Sequence, residues 1–247
     1  MTRGRFTVLV LTVALVLVLS GSAARHWSAD DGGGGSSCSA RPPQGLGNEV
    51  PVQDGLAVAE SGTSRLGAST FSVGALVANR SPAWAAYRTS MSVRLLDAGG
   101  GVVADLPSST LPMVLPGAAL PVGATLAVPP ERVSLVARAE VVLSTTHWVA
   151  VEPENRLFQR FDGAPESDGD FLLPANLGEV RCTGLSATGA ALVYRDASGR
   201  VVGGEFVPYS GEYCAGSHAG EMLSPRDVPE TADPPRTTMA VYCDVGG

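Results

Sequence analysis

Val93-Arg-Leu-Leu-Asp-Ala-Gly-Gly-Gly-Val-Val103 returns as Leu192-Val-Tyr-Arg-Asp-Ala-Ser-Gly-Arg-Val-Val202, and these two stretches decide the fold. Both carry Asp-Ala-x-Gly-x-Val-Val, 99 residues apart. Ahead of the first Asp, Met91, Val93 and Leu95 alternate with Ser92 and Arg94, the period of a half-buried strand. Asp97 suits the first position of a type I turn, where its carboxylate accepts a bond from an N–H two residues on. Gly100 falls at the fourth position, where a positive φ closes a bulged hairpin. Asp196 and Gly199 repeat the arrangement. Turn chemistry accounts for both aspartates without a catalytic role.

The same offset extends beyond the hairpin. Gly117 maps to Gly216, Pro130-Glu131 to Pro229-Glu230, and Val142 to Val241. Identities so far apart at one offset indicate an internal duplication. Strand-like runs at 71–79, 86–96 and 134–151 are punctuated by Gly and Pro, with no long segment of period 3.6. The expected fold is all-β: two tandem immunoglobulin-like antiparallel β-sandwiches, each about 100 residues or less. The expected organisation is a signal peptide or transmembrane anchor at 1–24 and a Gly/Ser/Pro linker at 25–50. A first sandwich at 51–152, an acidic connector at 153–170 and a second sandwich at 171–247 follow. The second copy is shorter and lacks a counterpart of the 71–79 strand.

Residues 6–19 are apolar except for Thr7 and Thr12, behind Arg3 and Arg5. Ending in Ser22-Ala23-Ala24, the run fits a secretory signal cleaved near Ala24. Taken as 6–24, it also matches the length of a membrane anchor. In both cases the arginines hold the N-terminus in the cytoplasm and the rest of the chain outside it. The linker, with four consecutive glycines at 32–35, cannot build a core.

The formal charge is −7, and all 17 basic residues are arginine. An acidic chain without a basic cluster argues against nucleic acid as a partner. Four cysteines, Cys38, Cys182, Cys214 and Cys243, contain no Cys-x-x-Cys pair, so a zinc ribbon or dithiol redox motif is unsupported. Behind an export signal they read as disulfides. Of the three possible pairings, the preferred one joins Cys182 to Cys243, tying the ends of the second copy together, and Cys38 to Cys214, fastening the linker; Cys38 is alternatively free to pair between chains.

Gly-x-Ser-x-Gly, P-loop and His-Glu-x-x-His motifs are absent from the sequence. Cys214 with His218 is a poor metal pair, since a disulfide competes for the thiol. Asp162, Glu166, Asp168 and Asp170 could offer oxygens to calcium but read as a solvated connector. No catalytic, cofactor-binding or metal residue is assigned. Trp84, Tyr87 and Trp148 are expected to fill the core.

Gly74-Ala-Leu-Val-Ala-Asn79, followed by Val93-Arg-Leu-Leu-Asp97-Ala-Gly-Gly, resembles the FxLYD-type immunoglobulin-like domain of bacterial exported envelope proteins. Val93 stands at that motif's aromatic position and Leu96 at its Tyr position; in the second copy Arg195 separates Tyr194 from Asp196. The resemblance implies a sandwich fold and an extracytoplasmic location, and brings no catalytic residues. The expected function is a non-enzymatic binding module, secreted or held at the membrane by residues 6–24. Its partner would be an envelope protein or cell-wall component. The rival readings are an enzyme built at the seam between the copies, from the acidic connector, His147 or His218, and a structural spacer.

Overall fold

Both repeated turns close as their sequence requires. The computed structural model describes residues 55–144, 146–150, 164–165, 171–172, 185–211 and 222–245. In the first turn Asp97 Oδ1 accepts the N–H groups of Gly99 (2.8 Å) and Gly101 (2.7 Å). Gly100, at φ 87°, donates to Asp97 O over 3.1 Å. In the second, Asp196 Oδ1 accepts the N–H groups of Ser198 (2.9 Å) and Arg200 (3.0 Å). Gly199, at φ 86°, donates to Asp196 O over 2.8 Å.

The regular structure of the described residues is antiparallel β-strand apart from two short 3₁₀ segments. Its strands are β1 (Leu56–Leu66), β2 (Thr70–Asn79), β3 (Trp84–Tyr87), β4 (Ser90–Leu96), β5 (Val102–Thr110), β6 (Ala119–Ala127), β7 (Arg138–Ser144) and β8 (His147–Ala150). After the short β9 (Ala164–Pro165) and β10 (Phe171–Leu172) come β11 (Leu185–Arg195), β12 (Val201–Gly211), β13 (Met222–Leu223) and β14 (Thr238–Val245). Two 3₁₀ segments, Pro130–Leu135 and Pro234–Arg236, each precede the third strand of a copy.

The two copies build the same sheet. The first has the order β5-β4-β7 and the second β12-β11-β14. Val93 pairs with Leu106, Leu95 with Ala104 and Leu96 with Val102. At offset 99, Leu192 pairs with Glu205, Tyr194 with Gly203 and Arg195 with Val201. Even the bulge recurs, between Leu95 and Leu96 and between Tyr194 and Arg195. The third strands depart from the offset. Val93 lies opposite Val141, but Leu192 lies opposite Met239, an offset of 98 (239 − 141). The chain between second and third strands is one residue shorter in the second copy, so the Val142–Val241 identity does not mark equivalent positions.

The single strand expected over 86–96 is two. Arg88 takes φ 48°, and the chain leaves one sheet for another there. β3 pairs with β8, while β4 pairs with β5 and β7. The buried Thr89 fixes the break: its carbonyl accepts the Leu111 N–H (2.9 Å), and its hydroxyl meets that of Thr146 (3.2 Å). The run expected over 134–151 divides likewise, into the Pro130–Leu135 segment, β7 and β8.

A third sheet, β1-β2-β6, lies between the two repeated sheets. One of its faces carries Phe71, Val73, Ala75 and Val77 of β2 with Leu120, Val122, Ala124 and Leu126 of β6. These pack with Met91, Val93, Leu95 and Val141 of the first copy. The opposite face is small and polar, and the second copy lies on it. Gly62, Gly74 and Gly123 form a row across the three strands. β12 crosses that row with Val201, Gly203 and Glu205, whose backbones occupy the space a Cβ at each glycine would need. Ser72 clasps the crossing: its Oγ accepts from Gly204 N–H (2.8 Å) and donates to Gly204 O (2.9 Å). Arg195 pairs with Glu60 at 2.6 Å, and Ser64 Oγ donates to Val202 O. Ala191, Ala240 and Tyr242 of the second copy join the same apolar cluster as the first. The second copy thus packs on the same central sheet as the first.

Candidate functional site

Where the edges of β5 and β6 diverge, a cavity of about 660 Å³ opens beside the second copy. Val93, Leu106 and Leu111 of the first copy's side and Val122 and Ala124 of β6 form its apolar walls. Phe206 and Tyr242 close it from the second copy, their rings 5.3 Å apart and tilted by 52°. The size and the apolar lining with a few polar groups are those of ligand sites.

Three polar features stand in the lining. The Thr125 hydroxyl is buried without a hydrogen-bond partner. The Tyr242 hydroxyl donates to Pro121 O at 2.5 Å, and its burial raises its pKa. Glu205 is 7 % exposed and well supplied with donors. Its Oε2 accepts the Tyr194 hydroxyl (3.2 Å) and the N–H groups of Arg226 (3.1 Å) and Asp227 (3.0 Å); Oε1 accepts Arg226 N–H at 3.2 Å. This carboxylate fastens the segment at 226–227 to β12. Burial first, then the Glu205 charge, pushes the Tyr194 hydroxyl well above the usual tyrosine range. Tyr194 and Glu205 occupy the positions held in the first copy by Leu95 and Leu106. An acid standing where the repeat has leucine, in an alternating strand, is the signal by which sequence could have singled out Glu205.

The residues weighed from sequence lie elsewhere. His147 sits in β8 opposite Tyr87 and does not line the cavity. Tyr87 is buried; Trp84 and Trp148 are half-buried, Trp148 against the main core. Asp97 and Asp196 are turn residues. Cys38, Cys182, Cys214, His218, Asp162, Glu166, Asp168 and Asp170 lie outside the described residues, as do residues 6–24. Cys243 is described only by its backbone, which pairs with Ala187. Among the described residues, no helix is long and apolar enough to cross a membrane. The cavity has lining residues from both copies.

No family model, curated protein or solved structure matches the chain. The FxLYD-type resemblance rests on the residues quoted for it.

Proposed function

We propose that this chain is a non-enzymatic interaction module of the cell envelope, secreted or anchored through residues 6–24, and that it binds its partner through the cavity between the β5 and β6 edges. The two copies are read as immunoglobulin-like halves that share one central sheet. The single observation carrying the binding role is the cavity lining. It is mostly apolar, and the acid most deeply set in it, Glu205, already holds three structural donors. A carboxylate so engaged is committed to holding the 226–227 segment and Tyr194 in place. The leader-like run at 6–24 and the envelope-domain resemblance support the location.

The test is photo-crosslinking in the producing cells, followed by fractionation. A crosslinker at Ser109, exposed at the cavity rim, should give a discrete adduct in the envelope fraction. One at Arg138, exposed on β7, should not. Equal yields at both positions, or an adduct confined to the cytoplasm, would refute the reading.

A further inference from the structure

One wall of the cavity is the part of the β6 edge that carries Gly123 and Thr125. β6 pairs with β2 and, among the described residues, with no other strand. In an antiparallel ladder, alternate residues turn both main-chain groups toward the partner or away from it. The bonds at the two ends of the ladder settle which set faces away. Asn79 N–H donates to Ala118 O and Val128 N–H to Ser69 O, so the odd-numbered residues of β2 carry the ladder bonds, and Pro121, opposite Leu76, turns its carbonyl outward to the Tyr242 hydroxyl. The ladder runs without a register shift from Ala119 to Ala127, so Gly123 and Thr125 share that orientation. Their N–H and C=O groups face the cavity edge, and no hydrogen bond to them is made among the described residues. The unpartnered Thr125 hydroxyl lies on the same wall.

The facing lip is different. Pro107 within β5 and Pro112 just beyond it line the cavity, and prolines blunt a strand edge as a pairing surface. One edge can therefore accept a strand, over an apolar gap that can take side chains.

We propose that the cavity is a strand-acceptor groove. The β6 edge at Gly123 and Thr125 pairs with an extended segment of a partner protein, and the partner's alternate apolar side chains fill the gap between β5 and β6. A compact apolar molecule would fill the volume but leave the edge groups of Gly123 and Thr125 unpaired, which is costly where water is excluded. A strand satisfies both, as in other cases of β-augmentation. The inference rests on the cavity being the binding site, as read above.

The test uses the full-length protein in detergent and a capped eight-residue peptide alternating valine with threonine. The peptide should bind one to one and slow amide exchange at Gly123 and Thr125. Two further peptides carry N-methyl groups, one on the valines and one on the threonines. A strand offers β6 only one set of N–H groups, so one methylated peptide should bind like the parent and the other about tenfold more weakly or worse. Thr125→Pro removes an edge N–H that serves no ladder bond and should weaken the parent peptide to the same degree. Thr125→Val keeps that N–H and should bind normally. Equal binding of both methylated peptides would overturn the proposal even if Thr125→Pro does not fold. The apolar dye 8-anilinonaphthalene-1-sulfonate separates the two readings. Saturable dye binding without peptide binding would sink the strand proposal and leave the cavity as a binding site. Binding of neither would sink both.

Discussion

Asp97 and Asp196 make the same turn with different reinforcement. Asp97 accepts two backbone N–H groups. Asp196 also accepts the Ser198 hydroxyl (2.5 Å) and the Arg200 guanidinium, through Nε (3.0 Å) and Nη2 (2.8 Å). The Ser198 hydrogen bond, and next the Arg200 bond, hold the Asp196 carboxyl well below the usual carboxylate range. A lowered folded-state pKa stabilises the fold above the unfolded value of about 4, and that contribution is lost as pH falls below it. Asp196→Asn should therefore lose stability at neutral pH and show a flatter decline between about pH 5 and pH 2. Urea midpoints measured across that range check it; an unchanged acid slope would deny Asp196 its role. The aspartates and glycines of both turns were legible in the sequence, because turn geometry depends on four or five consecutive residues. Glu205 stands out in the repeat as an acid at a leucine position, but its partners do not, because they come from Tyr194 and from 226–227, which only the folded sheet brings together.

At the scale of strands, β12 seated on the central sheet is the decisive arrangement. Backbone lies against backbone there, so the contact depends on absent side chains and not on buried ones. In Gly74→Ala the added methyl would overlap the Gly203 carbonyl, and neither strand is free to move alone. The expected cost is about 3 kcal/mol or more, at the upper end for overpacking. Ser72→Ala removes the clasp and leaves the buried Gly204 N–H unpaired, at about 1–3 kcal/mol. Urea unfolding of the two variants should place Gly74→Ala as the less stable. A Gly74→Ala protein as stable as the parent would mean that β12 does not lie on this row. Gly62, Gly74 and Gly123 are far apart in the chain and look like ordinary strand glycines; their alignment follows from pairing register, which sequence spacing does not reveal.

For the whole molecule, the shared central sheet sets the cooperativity. Separate sandwiches, the second stapled by cysteines, would melt separately, the second first on reduction. Instead Ala191, Ala240 and Tyr242 lie in one apolar cluster with Phe71, Val93 and Val122. Loss of the second copy would strip its cover from the small-residue face of β1, β2 and β6. The described strands should therefore unfold in one transition. Fluorescence of Trp84 and Trp148 reports on the first copy's side, and far-UV circular dichroism reports on all strands. The two melting curves should coincide. A first step seen by dichroism alone would show that the copies fold independently.

The strand over 71–79 and the two repeated Asp-x-x-Gly hairpins followed from the sequence alone, whereas the division of the runs over 86–96 and 134–151 did not. Alternation, turn residues and repeat offset are local properties or simple comparisons between local segments, and the all-β class follows from them. The tertiary structure decided that the two hairpin sheets enclose a common third one, that β12 rests on a row of glycines, and that a cavity opens beside Gly123 and Thr125 of β6. Those features arise from faces and edges meeting across more than 100 residues of chain. A pattern of period two tells which side chains share a face, but not which other face will cover them.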